Sequence, residues 1–160
     1  PTVWALQGSP ITINATAKGT LMTYLWDPAT YLNYDTVLRP TVTPLTDNNL
    51  YTLYVTGNGG CIASDTVRVM LLRTPIIPNV FSPNGDGKND RWEIQYLNNF
   101  EGCTVEVFDR NGHVIFSKRG YATAWDGTSN GKPVPVGVYY YIIEPKHGHP
   151  VMSGSVTILR

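Results

Sequence analysis

The sequence lacks the features by which nucleic-acid-binding and membrane-spanning proteins are usually recognised. Basic and acidic residues number 12 each, and charged residues make up only 15% of the chain. Binding to nucleic acid or to an anionic membrane surface depends on summed positive charge, which a neutral chain does not supply. No run of apolar residues reaches the roughly 18 that a membrane-spanning helix requires. We therefore expect neither nucleic acid as a partner nor a transmembrane helix.

Cysteine and the common catalytic motifs are also scarce. The two cysteines, Cys61 and Cys103, lie far apart in a spacing that matches no metal motif, and we expect both to be free and partly buried. The sequence contains no Gly-x-Ser-x-Gly, no His-Glu-x-x-His and no phosphate-binding glycine loop followed by a helix. His147 and His149 lie in a predicted turn without further ligands nearby in sequence. The sequence therefore predicts a protein that is not an enzyme.

Helical periodicity is missing, and period-two alternation takes its place along most of the chain. The 15 glycines and 12 prolines disfavour long helices, and no window repeats apolar residues at helical spacing for more than one turn. Alternation bounded by turn signals predicts strands instead. The predicted strands are Ile11–Ala15, Leu21–Trp26, Leu50–Thr56, Ser64–Leu72, Arg91–Leu97, Cys103–Asp109, His113–Ser117, Gly137–Ile143 and Gly154–Arg160.

The predicted strands fall into two groups. Between them lies Arg73–Pro78, which contains two prolines and little apolar alternation, so we predict a linker there. Many short strands at this spacing are typical of β-sandwiches. The sequence therefore predicts an all-β chain with two tandem β-sandwich (Ig-like) domains, residues 1–74 and 75–160.

A polar loop between Pro78 and Trp92 is the most distinctive stretch of the chain. Asn84, Asp86 and Asp90 place amide and carboxylate oxygens at alternate positions, with glycines between them, an arrangement that suits a hard cation such as calcium. Lys88 occupies one would-be ligand position, and the bidentate glutamate of an EF-hand is absent. An Asx-rich turn, whose side chains bond their own backbone, explains the pattern equally well. Both interpretations remain open at this point.

The aromatic residues allow two interpretations. We predict Trp92 and Trp125 to be structural core residues, because large aromatic side chains at strand starts are usually buried. Tyr139 and Tyr141 share one face of an apolar strand. That strand is either covered on both faces or keeps one face for a partner. Alternatively, the aromatic rings of the second domain form a sugar-stacking platform.

Three stretches of the first domain form a family pattern: Tyr24–Leu32, Pro40–Pro44 and Tyr51–Val67. They resemble the immunoglobulin-like, PKD-like repeat of large bacterial surface proteins. In that repeat the tryptophan, here Trp26, fills the core. The resemblance implies that the first domain is one repeat of a surface protein.

Five stretches of the second domain follow one another in a second family pattern: Pro78–Asp90, Val107–Gly112, Trp125–Gly127, Pro135–Tyr141 and Gly154–Arg160. Together they resemble, over nearly the whole domain, the gliding motility-associated C-terminal domain. This domain is the type B C-terminal signal of the type IX secretion system. One position departs from the family, because Asn111 stands in the hairpin where a tryptophan is usual. The substitution replaces an apolar contact with a better turn former.

The resemblance implies a function in secretion. Such domains direct a folded passenger, often a long adhesin, across the outer membrane, and they engage outer-membrane-associated proteins of the PorP/SprF-like kind. We accordingly expect type IX machinery as the partner. We also expect secretion through the periplasm to the cell surface, with outer-membrane association and the passenger upstream of Pro1.

The predicted partner surface lies on the last two long strands and the hairpin. We also expect the terminal strand Gly154–Arg160 to lie at a sheet edge, where it could pair with a partner strand. The predicted partner-binding residues are Arg110, Tyr139, Tyr141, Val156, Ile158 and Arg160. The alternative function is a carbohydrate-binding module or adhesin tip that binds a surface polysaccharide.

Overall fold

A computed structural model describes all 160 residues, which divide into two compact units, Pro1–Arg73 and Thr74–Arg160. The all-β prediction is confirmed, since the single helical element is a 3-10 helix at Leu97–Asn99. The strands are β1 (Thr2–Leu6), β2 (Ile11–Thr12), β3 (Thr23–Asp27), β4 (Thr41–Val42), β5 (Asn48–Thr56), β6 (Ile62–Leu72), β7 (Val80–Phe81), β8 (Thr104–Phe108), β9 (Val114–Arg119), β10 (Thr128–Ser129), β11 (Lys132–Pro133), β12 (Gly137–Glu144) and β13 (Met152–Ile158).

The first unit pairs a four-stranded sheet, in the order β1-β6-β5-β3, with the small sheet β2-β4. Its core contains the fully buried Val42, Tyr51 and Val69, together with Trp26, whose Nε1–H donates to the Val37 carbonyl over 2.9 Å. Strand β1 lies parallel to β6 and was not predicted, because its short run has no clear alternation. The predicted strand over residues 11–15 is shortened to its first two residues.

The second unit is built on a five-stranded sheet in the order β7-β13-β12-β8-β9, accompanied by the two-stranded sheet β10-β11. All pairs in the large sheet are antiparallel except β7 with β13. Side chains alternate across β12, so Tyr139 and Ile143 are buried while Val138 and Tyr140 are about half exposed. Strand β12 is therefore central in the sheet, but only one of its two faces is covered.

The predicted strand Arg91–Leu97 is wrong. Only Trp92 and Gln95 make isolated bridges there, and Tyr96 adopts φ 67, in the left-handed region, just before the 3-10 helix. Because this turn breaks the alternation, Tyr96 is 36% exposed whereas Ile94 and Trp92 are buried. A strand over Arg91–Leu97 would have placed Trp92, Ile94 and Tyr96 on one face, and they do not lie on one face.

Part of the predicted linker Arg73–Pro78 is built into the second unit. Ile76 and Gln95 exchange two backbone hydrogen bonds of 3.1 Å each. The Nε1–H of Trp92 also donates to the Pro78 carbonyl over 2.7 Å. These bonds fix residues 76–78, which leaves a shorter connecting segment than the sequence predicted.

Both cysteines are free, but they differ in environment. Cys103 is fully buried, and burial raises the pKa of its thiol. Cys61 is exposed, contrary to the prediction of partial burial, because it directly follows the glycine-rich turn at residues 57–60.

Candidate functional site

The indole of Trp125 is the centre of the second unit. Its side chain is buried, and its Nε1–H donates to the Thr128 carbonyl over 2.8 Å. Four other aromatic rings surround it at centroid distances of 5.5 to 6.4 Å. They belong to Phe81, Trp92, Phe116 and Tyr139. Because these residues come from separate segments of the chain, the cluster exists only when the unit is folded.

A buried hydroxyl connects the two tryptophans of this cluster. The Oη–H of Tyr121 donates to the Trp92 carbonyl over 2.7 Å, and the same oxygen accepts the Trp125 backbone N–H over 3.1 Å. Burial raises the pKa of Tyr121 well above its ordinary range, so the hydroxyl keeps its proton and remains a donor. No sequence pattern predicts this role for Tyr121, since a single tyrosine outside an alternating segment carries no distinctive signal.

The Trp-Asp-Gly motif is held against the polar loop. The Asp126 carboxylate accepts the hydroxyl and the backbone N–H of Thr128 over 2.7 and 3.1 Å, and this hydroxyl bond lowers the pKa of Asp126. Gly127 has φ +75, and a Cβ placed there would lie 3.0 Å from the Cγ of Pro83. The close approach requires glycine at this position. Two motifs that lie far apart in the sequence are thus in contact.

In the polar loop itself, side-chain oxygens bond the backbone. The Asp90 carboxylate accepts the N–H groups of Asn84, Gly85 and Gly87 over 2.7 to 3.0 Å. The Asn84 amide oxygen accepts the Asp86 N–H, and the Asp86 carboxylate accepts the N–H two residues further on. No group of three or more His, Cys, Asp or Glu residues is placed to hold a metal ion. This arrangement fits the Asx-turn alternative.

Calcium binding by Asn84, Asp86 and Asp90 stays a prediction. Occupying a cation site would require these oxygens to exchange backbone N–H donors for the ion, since most of them already accept a hydrogen bond. Melting with calcium and with a chelator distinguishes the two interpretations. If the loop binds calcium, a free calcium concentration of 100 times the dissociation constant adds about 2.7 kcal/mol to the free energy of unfolding. If the loop is a plain turn, calcium leaves the melting temperature unchanged.

Asp90 should make the second unit sensitive to acid. Backbone hydrogen bonds, first from Gly85 and then from Gly87, lower the pKa of Asp90. A lowered folded-state pKa contributes stability that is present above the unfolded pKa of roughly 4 and is lost as pH falls through the folded value. We expect Asp90→Asn to lower the melting temperature near pH 7 and to flatten its fall towards about pH 3.

Melting curves between these pH values provide the measurement, with Asp86→Asn as a matched loss of one carboxylate from the same loop. Asp86 accepts one backbone N–H where Asp90 accepts three, so its replacement should lower the melting temperature near pH 7 by less. An Asp90→Asn variant whose melting temperature falls with pH as steeply as that of the unmodified chain would contradict the prediction.

The predicted partner surface is mostly in the interior. Val156 and Ile158 are fully buried and Tyr139 is nearly so, because β12 and β13 turn these side chains towards the aromatic cluster. Tyr141 also faces inward, with its ring 5.1 Å from that of Trp92. Burial of Tyr139, Val156 and Ile158 contradicts their assignment to a partner surface. Tyr141 is partly exposed, and its role in partner binding stays a prediction. Period-two alternation identified one common face correctly but could not show which face is covered.

The two arginines of that predicted surface are exposed. The Nη1 of Arg160 donates to the Val134 carbonyl over 2.7 Å, which attaches the last residue to the small β10-β11 region. Arg110 lies in the hairpin turn between β8 and β9, next to Asp109, whose carboxylate accepts two backbone N–H groups. A role for Arg110 and Arg160 in partner binding stays a prediction.

The exposed face of the large sheet carries apolar side chains that were not among the predicted partner residues. Val138, Tyr140 and Ile142 of β12 are 50%, 51% and 41% exposed. Phe108 of β8 lies opposite Tyr140 in the strand register. Exposed apolar residues on neighbouring strands of one face are a candidate interaction surface. The sugar-stacking alternative, by contrast, loses Trp92 and Trp125 as platform residues because both are buried.

The fold and the site define an all-β protein whose second unit is a compact module closed around a tryptophan. Residues 75–158 of the chain match the model of the CHU_C type IX secretion signal domain. This match covers just over half of the sequence, and the chain belongs to that family. No match was found among the curated proteins.

Solved structures give weaker likenesses. The Dpr11 IG1 complex with DIP-gamma IG1 and IG2 has a TM-score of 0.48 at 10% identity, covering 98% of this chain and 94% of that chain. DIP-gamma IG1 and IG2 alone has a TM-score of 0.44 at 10% identity, covering 97% and 91%. The glucan-utilisation protein SGBP-B of Bacteroides ovatus, in complex with a heptasaccharide, has a TM-score of 0.35 at 12% identity, covering 99% and 43%. At these values the likeness indicates neither a ligand nor a partner.

Family membership has direct consequences. The chain carries a signal for the type IX secretion system, which implies export to the cell surface and involvement of the type IX machinery. The structure contains no helix with the length and apolarity needed to cross a membrane.

Proposed function

We propose that residues 75–160 form a folded secretion and docking signal, recognised by an outer-membrane-associated protein of the PorP/SprF-like kind. The observation that carries the proposal is the Trp125 cluster. It draws together the family's scattered motifs, since Phe81, Trp125 and Tyr139 come from three of them. A partner that reads these motifs together must recognise the folded unit, because only folding brings them to one place.

The first unit acts as a repeat of the exported adhesin-like passenger and does not carry the signal. It has a separate core around Trp26, which supports a structural role that is independent of the second unit. After export, the chain remains associated with the outer membrane through the partner bound to the second unit. The signal performs no catalysis in this mechanism, because its task is recognition.

The test is export of a folded reporter in a bacterium that carries a type IX system. One fusion ends in residues 75–160, a second in residues 1–160, and a control in residues 1–74. We expect surface display of the first two reporters and retention of the control in the periplasm.

The host must be one that exports its own type IX substrates. In such a host, retention in the periplasm of the reporter that ends in residues 1–160 would overturn the proposal. Binding of residues 75–160 to a glycan array, without binding to a PorP/SprF-like protein, would favour the polysaccharide-binding alternative. The two outcomes separate secretion from glycan recognition, because a glycan-binding module carries no instruction for export.

A further inference from the structure

Strand β13 is paired along one side but largely open on the other. On one side it pairs with β12 over its full length. On the other side β7 covers only Thr157 and Ile158, opposite Val80 and Phe81. The preceding stretch, Ser153–Ser155, is exposed. The terminal strand therefore lies at the sheet edge, as predicted, only over its first half. Over its second half, β7 forms the edge instead.

The backbone of the open stretch points its polar groups outward. The Thr157 N–H donates to the Asn79 carbonyl over 2.8 Å, so Thr157 directs its backbone groups away from β12. In an antiparallel pair this direction repeats at every second residue. Ser155 and Ser153 therefore present their N–H and C=O groups to the same side, beyond the end of β7, where no strand pairs with them.

The opposite edge of the same sheet is different. Strand β9 carries Lys118 and Arg119, and its pairing with β8 shifts register between Val107 and Phe108. Charged side chains and irregular pairing are common means by which proteins prevent a sheet edge from adding another strand. The stretch Ser153–Ser155 has neither, so one edge of the sheet is protected and the other is left available.

An apolar depression of about 480 Å³ adjoins the open stretch on the exposed face of the sheet. Phe108, Tyr140 and Ile142 contribute to its lining, together with Ser153 and Ser155. Because the side chains of Ser153 and Ser155 are small, they do not cover the apolar side chains of the neighbouring strands. A strand added at about 4.8 Å from β13 could place an apolar side chain over the serines and against Tyr140.

A second copy of this chain fits the edge poorly. In an antiparallel pairing of two copies, the residues that follow Pro150 in each chain would run towards Thr157 and Ile158 of the other. That side of β13 is already occupied by β7, so the copies could pair only over Ser153–Ser155. An extended segment of another protein would be limited by β7 at only one end. At its other end it could extend beyond the position of Pro150.

The geometry points to docking by strand addition, in which an extended segment of a type IX machinery protein pairs with Ser153–Ser155. The segment is uncharged where it meets the edge, and an apolar side chain on its outer face fills the depression beside Tyr140. Backbone bonds at Ser153 and Ser155 supply the pairing, and the depression selects the side chain. This inference rests on the proposed function and names the surface through which it operates.

The test measures backbone hydrogen exchange in residues 1–160 with and without a purified, detergent-solubilised PorP/SprF-like protein from the same type IX host. We expect the amides of Ser153 and Ser155 to exchange at least tenfold more slowly in the complex. Ser155→Pro removes an outward N–H without breaking the pairing with β12. We expect this variant to bind at least tenfold more weakly.

Ser117→Pro is the matched control. Ser117 is an exposed serine on β9. The Gly120 N–H donates inward to the Cys103 carbonyl, and the direction of the backbone groups alternates along an antiparallel strand. The N–H of Ser117, an odd number of residues away, therefore points outward. Its variant should bind within twofold of the unmodified chain. If Ser155→Pro fails to fold, the exchange measurement on the unmodified chain still decides the question.

Three results would overturn the inference. Binding of the partner without slower exchange at Ser153 and Ser155 would exclude strand addition and leave the proposed function intact. Self-association of the chain that Ser155→Pro abolishes would assign the edge to a second copy. Failure of the unmodified chain to bind the probe would overturn this inference together with the proposed partner.

Discussion

Replacing Trp125 by alanine is expected to destabilise the second unit severely and to abolish export. The side chain is buried among four aromatic rings, and its Nε1–H has a carbonyl partner. Deleting a buried tryptophan costs about 3–5 kcal/mol of unfolding free energy. A domain of this size is stabilised by only about 5–10 kcal/mol, so the variant would lose about half of its stability. Thermal unfolding and surface display of the fused reporter are the two measurements.

Trp26→Ala is the control for this experiment, since Trp26 is equally buried in the first unit. It should lower the stability of its own unit and leave the melting transition of residues 75–160 in place. Surface display of a reporter carrying Trp125→Ala, with the second unit shown to be unfolded by circular dichroism, would contradict recognition of a folded signal.

Replacing Tyr121 by phenylalanine is expected to destabilise the second unit while preserving its shape. The variant loses only the hydroxyl that bonds the Trp92 carbonyl and the Trp125 N–H, both in a buried region. A buried polar group left without a partner costs about 1–3 kcal/mol. For a domain of fewer than 100 residues, each kcal/mol lowers the melting temperature by about 4–8 °C. Thermal unfolding of the variant measures the effect directly.

Tyr140→Phe provides the comparison, because its hydroxyl belongs to a side chain that is about half exposed on the uncovered face of the sheet. Its loss should change the melting temperature by less than that of Tyr121→Phe. Equal changes in the two variants would show that the buried hydroxyl does not connect the tryptophans energetically.

Much of the second unit could be predicted from local sequence. The Asn111-Gly112 turn lies between β8 and β9 as expected, and the alternating segments at residues 103–109 and 137–143 are strands. These predictions succeeded because turn chemistry and alternation act over a few residues. The predicted strand Arg91–Leu97 is wrong because local alternation does not reveal that Tyr96 adopts the left-handed region, which interrupts the extended backbone.

The assignment of Tyr139 to a partner surface failed for a different reason, which concerns the face of β12 that is buried. Alternation placed Tyr139 and Tyr141 on one face and Tyr140 on the other, which the structure retains. Both faces of β12 are apolar, and no local pattern distinguishes the face that packs against Trp125 from the one that faces solvent. The choice depends on the irregular segments that carry Trp92 and Trp125, which come from elsewhere in the chain and cover one face only.

The sequence by itself determined the all-β class, the family of the second unit and the residues that turn the chain, because each depends on neighbouring residues or on motifs in a fixed order. The tertiary structure decided which faces are buried, that Tyr121 connects two tryptophans, and that β7 leaves Ser153–Ser155 open. These features depend on contacts between segments far apart in sequence. Such contacts follow from the packing of the whole unit and leave no local pattern.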